Sequence, residues 1–435
     1  MTLPPMNPMQ ERMIDFALDM PHCAWFACPG MGKTRAALDV IAQTSGRTLV
    51  IAPKLVCLSV WPTENRKWGY DHSMRFLHGR DRHLRGRERV SLVNYDALPW
   101  LVEQMELERE SPYDLVIYDE LSKLKNPEAK RFAAWEHVLG RFEYRLGMTG
   151  TPVGAHLKDL FGEMYVVDHG RSLGSDYRRF LRQYFHENEY TYQLEPYSDT
   201  EATLLDLIRP RAISFDIDDL DMPPLIHNPV SLELPGEVVR YYEELHEHSL
   251  VEDLDVYAMN AAVRSGKKRQ MASGTVIDMQ GERKLLHDAK AERLAEIVAE
   301  LQGRPVMVFF EFLHDYEAIC KVLGPTPALY GGTSTRDAVQ HVEDWNAGRL
   351  PALALHPRSA AYGVNLQDSG SVIVWFTIPW SYEMVHQGTC RLWRQGQRNK
   401  VIVHYLIVAG TEDERVFDRV QERAGTHDRV MEGLL

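Results

Sequence analysis

The residues best equipped for chemistry lie at Ala27–Thr34, which reads ACPGMGKT. Gly30 and Gly32, with Met31 between them, let successive main-chain N–H groups turn toward an anion. Lys33 brings a point charge to β- and γ-phosphates, and the Thr34 hydroxyl suits Mg²⁺. A glycine-rich turn with a stray lysine would look similar. What separates the two is context: a phosphate loop leaves a strand and enters a helix. The apolar run His22–Phe26 precedes this segment and the helix-like Arg35–Gln43 follows it.

A second group sits downstream. The apolar run Tyr113–Glu120 ends in Asp119-Glu120. An aspartate at the end of a buried strand beyond a phosphate loop can hold Mg²⁺, and the adjoining glutamate can take a proton from an attacking water. Far along the chain, Gln387–Gln397 reads QGTCRLWRQGQ. The spacing of Arg391 and Arg394 predicts one shared helical face. Planar, permanent cations stabilise charge developing on a transferred phosphoryl group, although such a pair is more often solvated or salt-bridged. Gln10, on a predicted amphipathic helix at Asn7–Leu18, can donate and accept at once, as reading an adenine edge requires; a surface glutamine is the plain alternative.

Taken together these segments resemble the superfamily-two helicases, in the Swi/Snf-type branch of DNA-dependent ATPases. A-x-x-G-x-G-K-T is the helicase form of the loop, with Ala27 where the general pattern has Gly. Asp119–Pro127 (DELSKLKNP), with its Lys125-Asn126 pair, is similar to the second motif, and Arg145–Pro152 (RLGMTGTP) to the third. Ser122 stands where the commoner pattern has His. Trp61-x-x-Glu64-x-x-Lys67-Trp68 matches the segment after the second strand; alone, its tryptophans would read as core anchors. Gln387, Arg391, Arg394, Gly396 and Gln397 match the sixth motif. His356–Leu366 (HPRSAAYGVNL) resembles the fifth through Gly363, Asn365 and Leu366, and Lys290 matches a lysine of the second lobe. His356-Pro357 and the Leu-Trp-Arg-Gln-Gly-Gln run are most similar to the compact branch in bacteriophages and prophages.

The resemblance implies an α/β fold of two RecA-like (P-loop NTPase) lobes with parallel sheets and an ATP cleft between them. ATP and Mg²⁺ would be held by Gln10, Gly30, Met31, Gly32, Lys33, Thr34, Asp119, Gly363 and Gln387. Glu120 would be the general base, with Arg391 and Arg394 supplied by the other lobe. Thr149-Gly150-Thr151 would link nucleotide to nucleic acid, and Lys54, Asn94, Thr149, Thr151 and His356 would contact the track. The implied activity is translocation on double-stranded DNA in phage or bacterial replication, recombination or repair. A strand-separating DNA or RNA helicase and a non-catalytic ATP-dependent binding subunit are the alternatives. A monomer is expected, with replication or recombination proteins as partners.

The elements that must position these residues are legible in outline. Thr48–Pro53 and Val90–Asp96 read as buried parallel strands. Leu157–Asp168 and Asp176–Tyr184 read as helices, within an excursion at about 157–210, and Glu187–Asp199 as a loop. Met222-Pro223-Pro224 is the sharpest break, so lobes are predicted at 1–222 and 223–435. In the second, Val238–Ala262 and Ala289–Leu301 read as helices. Strands are expected at Pro305–Phe312, Thr326–Gly331, Ala352–His356, Ser371–Thr377 and Val401–Val408.

Composition limits the rest. The 435 residues exceed one ordinary core. No apolar run of about 18 residues exists, and the N-terminal residues lack a secretory pattern, which predicts no membrane contact and a bacterial cytoplasm, including that of a phage host. Five scattered cysteines without a C-x-x-C exclude a zinc ribbon. A net charge of −13 means that nucleic acid can be held only by a local basic face. Two stretches could supply it, or simply be solvated: Arg75–Arg89, with Arg75, Arg80, Arg82, Arg85, Arg87 and Arg89, and Arg264–Arg269 (RSGKKR).

Overall fold

A computed structural model describes residues 5–79, 82–84, 86–108, 111–154, 156–189, 192–215, 222–360 and 365–435. Gly363, Arg80 and Arg85 therefore lie outside the described residues. The chain divides into two compact units, Met1–Leu220 with Arg423–Leu435, and Asp221–Glu422. The sequence predicts a second lobe running to residue 435, whereas Arg423–Leu435 group with the first unit.

In the first unit, α1 (Pro8–Asp19) precedes β1 (His22–Ala27), and α2 (Lys33–Gln43) leads to β2 (Thr48–Ala52). After α3 (Trp61–Lys67) come β3 (Met74–Phe76), β4 (Val90–Asn94), α4 (Leu98–Glu106), β5 (Leu115–Asp119), α5 (Lys130–Glu136) and β6 (Tyr144–Thr149). The excursion holds α6 (Asp159–Asp168), α7 (Tyr177–Tyr184), a hairpin of β7 (Phe185–Glu187) and β8 (Leu194–Pro196), and α8 (Thr200–Ile208), before β9 (Ala212–Phe215). The sheet order is β3-β4-β2-β5-β6-β1-β9, and every pairing is parallel. Runs such as Leu49–Ala52 are wholly buried because helices cover both faces. Parallel pairing also brings the ends of β1, β2, β4, β5 and β6 to one edge. There the phosphate loop, Lys54, Asn94, Asp119 and Thr149 all emerge.

The second unit contains β10 (Leu225–Leu232), α9 (Gly236–His248), two strand pairs, β11 (Leu250–Val251) with β12 (Val256–Tyr257) and β13 (Thr275–Ile277) with β14 (Arg283–Leu285), and α10 (Ala261–Ser273) between them. Then follow α11 (Ala289–Glu300), β15 (Val306–Phe309), α12 (Leu313–Leu323), β16 (Ala328–Leu329), α13 (Thr335–Asn346), β17 (Ala352–Leu355), α14 (Pro357–Ala360), β18 (Val372–Trp375), α15 (Tyr382–Thr389), β19 (Val401–Val408) and α16 (Glu412–Glu432). Its sheet, β10-β19-β18-β15-β17-β16, is again parallel throughout. No described helix is long and apolar enough to cross a membrane.

Three local predictions need correction. The predicted helix Val238–Ala262 stops at His248, because Ser249 takes a left-handed φ of 60°, and Asn260 then caps a new helix. The predicted loop Glu187–Asp199 contains the β7–β8 hairpin. Arg391 and Arg394 are not on a helix: α15 ends at Thr389 and both follow it in turns. Gln397 fastens that turn, its amide donating to the carbonyls of Gln367, Gly370 and Leu392 while its oxygen accepts from the N–H groups of Arg398 and Asn399.

Part of each basic stretch is engaged within the fold, although Arg87 is exposed and Arg82 lies over the Trp100 ring at 4.3 Å. Arg75 donates to the His83 carbonyl and lies 3.4 Å from Glu88; Arg89 donates to the carbonyls of Ile41 and Thr44. Lys267 donates to the Ile277 carbonyl, Lys268 pairs with Glu412 at 3.6 Å, and Arg269 donates to Ile378 at 2.7 Å.

Candidate active site

The phosphate loop is shaped by two left-handed glycines, Gly30 (φ 92°) and Gly32 (φ 82°). A side chain at Gly32 would also collide with the Gln10 amide, its Cβ falling 2.3 Å from Nε2. That closeness has a purpose in the fold. Gln10 is buried, its amide donates to the Gly32 carbonyl at 3.4 Å, and its oxygen accepts from the Asn7 N–H at 3.1 Å. Asn7 returns the bond to the Gln10 N–H at 2.8 Å, closing a capping box that starts α1. Gln10 thus braces the loop through α1.

Lys33 begins α2 and folds its ammonium back onto the loop, donating to the carbonyls of Ala27 and, at 3.1 Å, Cys28. Thr34 follows in the first helical turn and keeps partial exposure. The Met31 side chain is fully buried, so its share in an anion cradle comes from the main chain.

At the end of β5, Asp119 Oδ2 accepts from the Trp61 indole N–H at 2.9 Å. Withdrawal from water raises the Asp119 carboxyl above its usual range, while the Trp61 bond and the Lys33 charge pull the other way. Glu120 adopts a left-handed backbone, φ 65° and ψ 59°, uncommon for a side chain of this type. The Tyr95 hydroxyl donates to the carbonyls of both, at 2.8 Å to Asp119 and 3.0 Å to Glu120. The strained corner is therefore held from β4's side, by the residue next to Asn94. Trp61 and Tyr95 were not singled out as site residues in the sequence. The Trp61 spacing was visible, but nothing in it showed that the indole reaches an aspartate on another strand.

β6 delivers Thr149-Gly150-Thr151 to the same edge. Thr149 Oγ1 accepts from the Thr151 N–H at 3.1 Å, and both threonines are buried. A Cβ on Gly150 would lie 2.8 Å from the Pro29 ring of the phosphate loop. The Gly150 carbonyl accepts from His427 Nε2 at 3.0 Å. Of the predicted track contacts on this unit, Lys54 is exposed and Asn94 partly so, whereas the threonine hydroxyls are withdrawn from solvent.

In the second unit, Arg391 and Gln387 are buried and Arg394 is partly exposed. Gln387 lies 3.5 Å from Glu383. His356 follows β17; its N–H donates to the Leu329 carbonyl and its Nδ1 accepts from the Arg358 N–H. Burial lowers its pKa, so near neutral pH it offers an uncharged ring. Lys290 is wholly structural: it pairs with Asp413 at 2.7 Å and donates to the Phe376 carbonyl at 2.9 Å.

This geometry fits a nucleoside triphosphate. The loop has its left-handed glycines and an ammonium folded onto it, and a carboxylate ends β5, one strand removed from β1 with β6 between them. Among the described residues no group of three or more His, Cys, Asp and Glu side chains could cage a metal. Mg²⁺ does not require one, since it keeps waters and binds through one or two protein groups plus phosphates. A hydroxyl such as that of Thr34 and a carboxylate such as that of Asp119 are groups of the kind it takes.

Residues 25–289, more than half of the chain, match the family model of the SNF2-related domain. The chain belongs to the SNF2-related family. Residues 289–396 match the helicase conserved C-terminal domain. This SNF2-related chain is 31% identical to protein p41 of Acyrthosiphon pisum secondary endosymbiont phage 1, over 98% of each. It is 22% identical to the DNA repair and recombination protein RAD54B of Mus musculus, over 93% of this chain but 53% of that one. Among solved structures it aligns with the Sulfolobus solfataricus SWI2/SNF2 ATPase core in complex with dsDNA, at 22% identity and a TM-score of 0.46, covering 99% of this chain and 94% of that one. The two parallel sheets are those expected of RecA-like lobes, and the SNF2-related chain is an ATP-dependent motor: a nucleic-acid-dependent ATPase of helicase superfamily 2.

Proposed function

We propose that this ATPase translocates along double-stranded DNA and serves DNA replication, recombination or repair in a phage or its bacterial host. The observation that carries the reading is the nucleotide site: Lys33, Thr34, Asp119 and Glu120 all emerge at one edge of one parallel sheet, beside the exposed Lys54. A relative named for DNA repair and recombination supports the task.

In the reaction proposed, Lys33 exchanges its loop carbonyls for the β- and γ-phosphates. Thr34 and Asp119 would hold Mg²⁺, whose charge polarises the phosphoryl oxygens. Glu120 accepts a proton from the attacking water as its oxygen bonds to γ-phosphorus and the bond to the ADP oxygen breaks. Arg391 and Arg394 are proposed as the cations that offset charge on the departing phosphoryl group. Gln10 reads the base edge. Thr149-Gly150-Thr151, packed on Pro29, passes loop movement to the track side.

The test is the steady-state ATPase rate without nucleic acid and with single-stranded DNA, blunt duplex, forked DNA or RNA. Strong stimulation by blunt duplex is expected. Stimulation by single strands or RNA alone would overturn duplex translocation in favour of strand separation, and equal rates in every arm would remove DNA coupling.

A further inference from the structure

With a net charge of −13, and with Arg75, Arg89, Lys267, Lys268 and Arg269 engaged internally, a DNA-binding face needs exposed cations beyond these five. α7 presents one. Its sequence, YRRFLRQY, places Arg178, Arg179 and Arg182 in solvent, with Gln183 beside them. The opposite face is an anchor: Phe180 packs on Phe161 at 4.9 Å and on Phe185 at 5.7 Å, and Tyr177 lies 5.0 Å from Phe161. Asp176 caps the helix, accepting from the Arg179 N–H at 2.9 Å. The helix therefore cannot roll, and its arginines project in a fixed direction.

Apart from the nearby charge of Asp176, which Arg178 and Arg182 help to hold ionised, these arginines have no close acidic partner. Among the described residues no carboxylate lies within ion-pairing distance of Arg178, Arg179 or Arg182. Several other surface arginines are paired, as Arg240 is with Asp253, Arg293 with Glu296 and Arg349 with Asp344. Arg178 and Arg182 are also four apart, a like-charge spacing that weakens a short helix. A fixed, self-repelling row of guanidinium groups on an acidic protein matches a polyanion with regularly spaced charges. Guanidinium forks bind phosphate oxygens in pairs, and four residues advance about 6 Å along a helix, bringing two forks to one backbone.

We propose that the Arg178–Arg179–Arg182 face of α7 is a phosphate-backbone contact for duplex DNA, set on the excursion rather than on the sheet edge. The inference rests on the DNA-translocase reading and adds a second grip on the first unit. It reads no sequence, because backbone contacts position a duplex without identifying bases.

The test compares the full chain with R178Q/R179Q/R182Q, and with R240Q/R293Q/R349Q as a control of identical net charge. Binding to a blunt duplex is followed by fluorescence anisotropy from about 50 to about 200 mM salt, the range over which counterion release dominates. Each lost phosphate contact removes about 0.9 from the slope of log affinity against log salt, so the α7 variant should lose roughly two to three, and the control nothing. Both variants should melt cooperatively and keep the wild-type DNA-free ATPase rate. An unchanged slope in the α7 variant, or an equal fall in the control, overturns the proposal while leaving the translocase reading intact; a chain whose α7 face binds an acidic protein instead would give this result. Failure of the wild-type chain to bind duplex overturns the underlying reading.

Discussion

His427 Nε2 lies 3.0 Å from the carbonyl oxygen of Gly150, a hydrogen bond between residues 277 positions apart. Nearby, Ser214 is buried; its hydroxyl donates to the Met431 carbonyl and its N–H to that of Leu434. The closing residues of the chain are thereby stitched to β9 and to the segment that packs on the phosphate loop.

His427→Ala should leave the buried Gly150 carbonyl unpaired, at a cost of about 1–3 kcal/mol. We expect a lower melting temperature and a reduced kcat, with KM for ATP changed less. His427→Gln keeps an N–H donor at similar reach and should recover part of the rate. Equal rates in both variants and wild type would show that the bond serves stability alone.

Glu120→Gln removes the proton acceptor while preserving size and a main chain held by Tyr95. Turnover should fall by about 10²–10⁴-fold, with ATP affinity retained in a fluorescent-nucleotide titration. Retained turnover would exclude Glu120 as the general base.

Asp119→Asn tests the raised carboxyl. A folded-state pKa above the unfolded value means that the folded chain favours the protonated acid. That stabilisation is present below the unfolded pKa and is lost as pH rises through the folded pKa. The ionised form is the strained one, so the neutral amide, still able to accept from Trp61, should melt higher than wild type at neutral pH without nucleotide. The difference should close as pH falls into the acid range. Mg²⁺-dependent turnover should be lost at every pH. A variant that melts lower at neutral pH would contradict the direction of the shift.

Gln10→Ala removes the capping box and the brace on Gly32 together. Loss of such a cap costs about 0.5–2 kcal/mol. If Gln10 also reads the base, the preference for ATP over GTP should shrink in competition assays. Gln10→Glu separates the roles, since its carboxylate can still accept from Asn7 but has no amide to donate. Unchanged nucleotide preference in both variants would confine Gln10 to the brace.

The site was legible wherever chemistry demands a residue type at fixed spacing along the chain. Lys33, Asp119 and Glu120 each terminate a strand–turn pattern that alternation of apolar runs makes visible. Trp61, Tyr95 and His427 were not, because each acts across the sheet or across the chain on a main-chain or carboxylate oxygen, and a tryptophan, tyrosine or histidine in such a place reads as ordinary core. Parts of the basic stretches were unreadable for a related reason. Arg89 and Arg269 are charged in composition, yet their guanidinium groups satisfy buried carbonyls, a use invisible without partners. Most strands of the two sheets were evident from β-branched runs. The break of α9 at His248 was not, since it depends on the left-handed turn at Ser249, a residue without the glycine that usually announces one.

The left-handed backbone at Glu120 sets two kinds of selection against each other. Glycine tolerates that conformation freely, whereas other L-residues incur about 1–2 kcal/mol. A lineage filtered only for thermal endurance would drift toward Glu120→Gly, and with Glu120 as the general base proposed above, a lineage filtered for turnover cannot follow it. Heirloom copies that have lost their task should therefore betray themselves at this position first, becoming hardier as they fall silent.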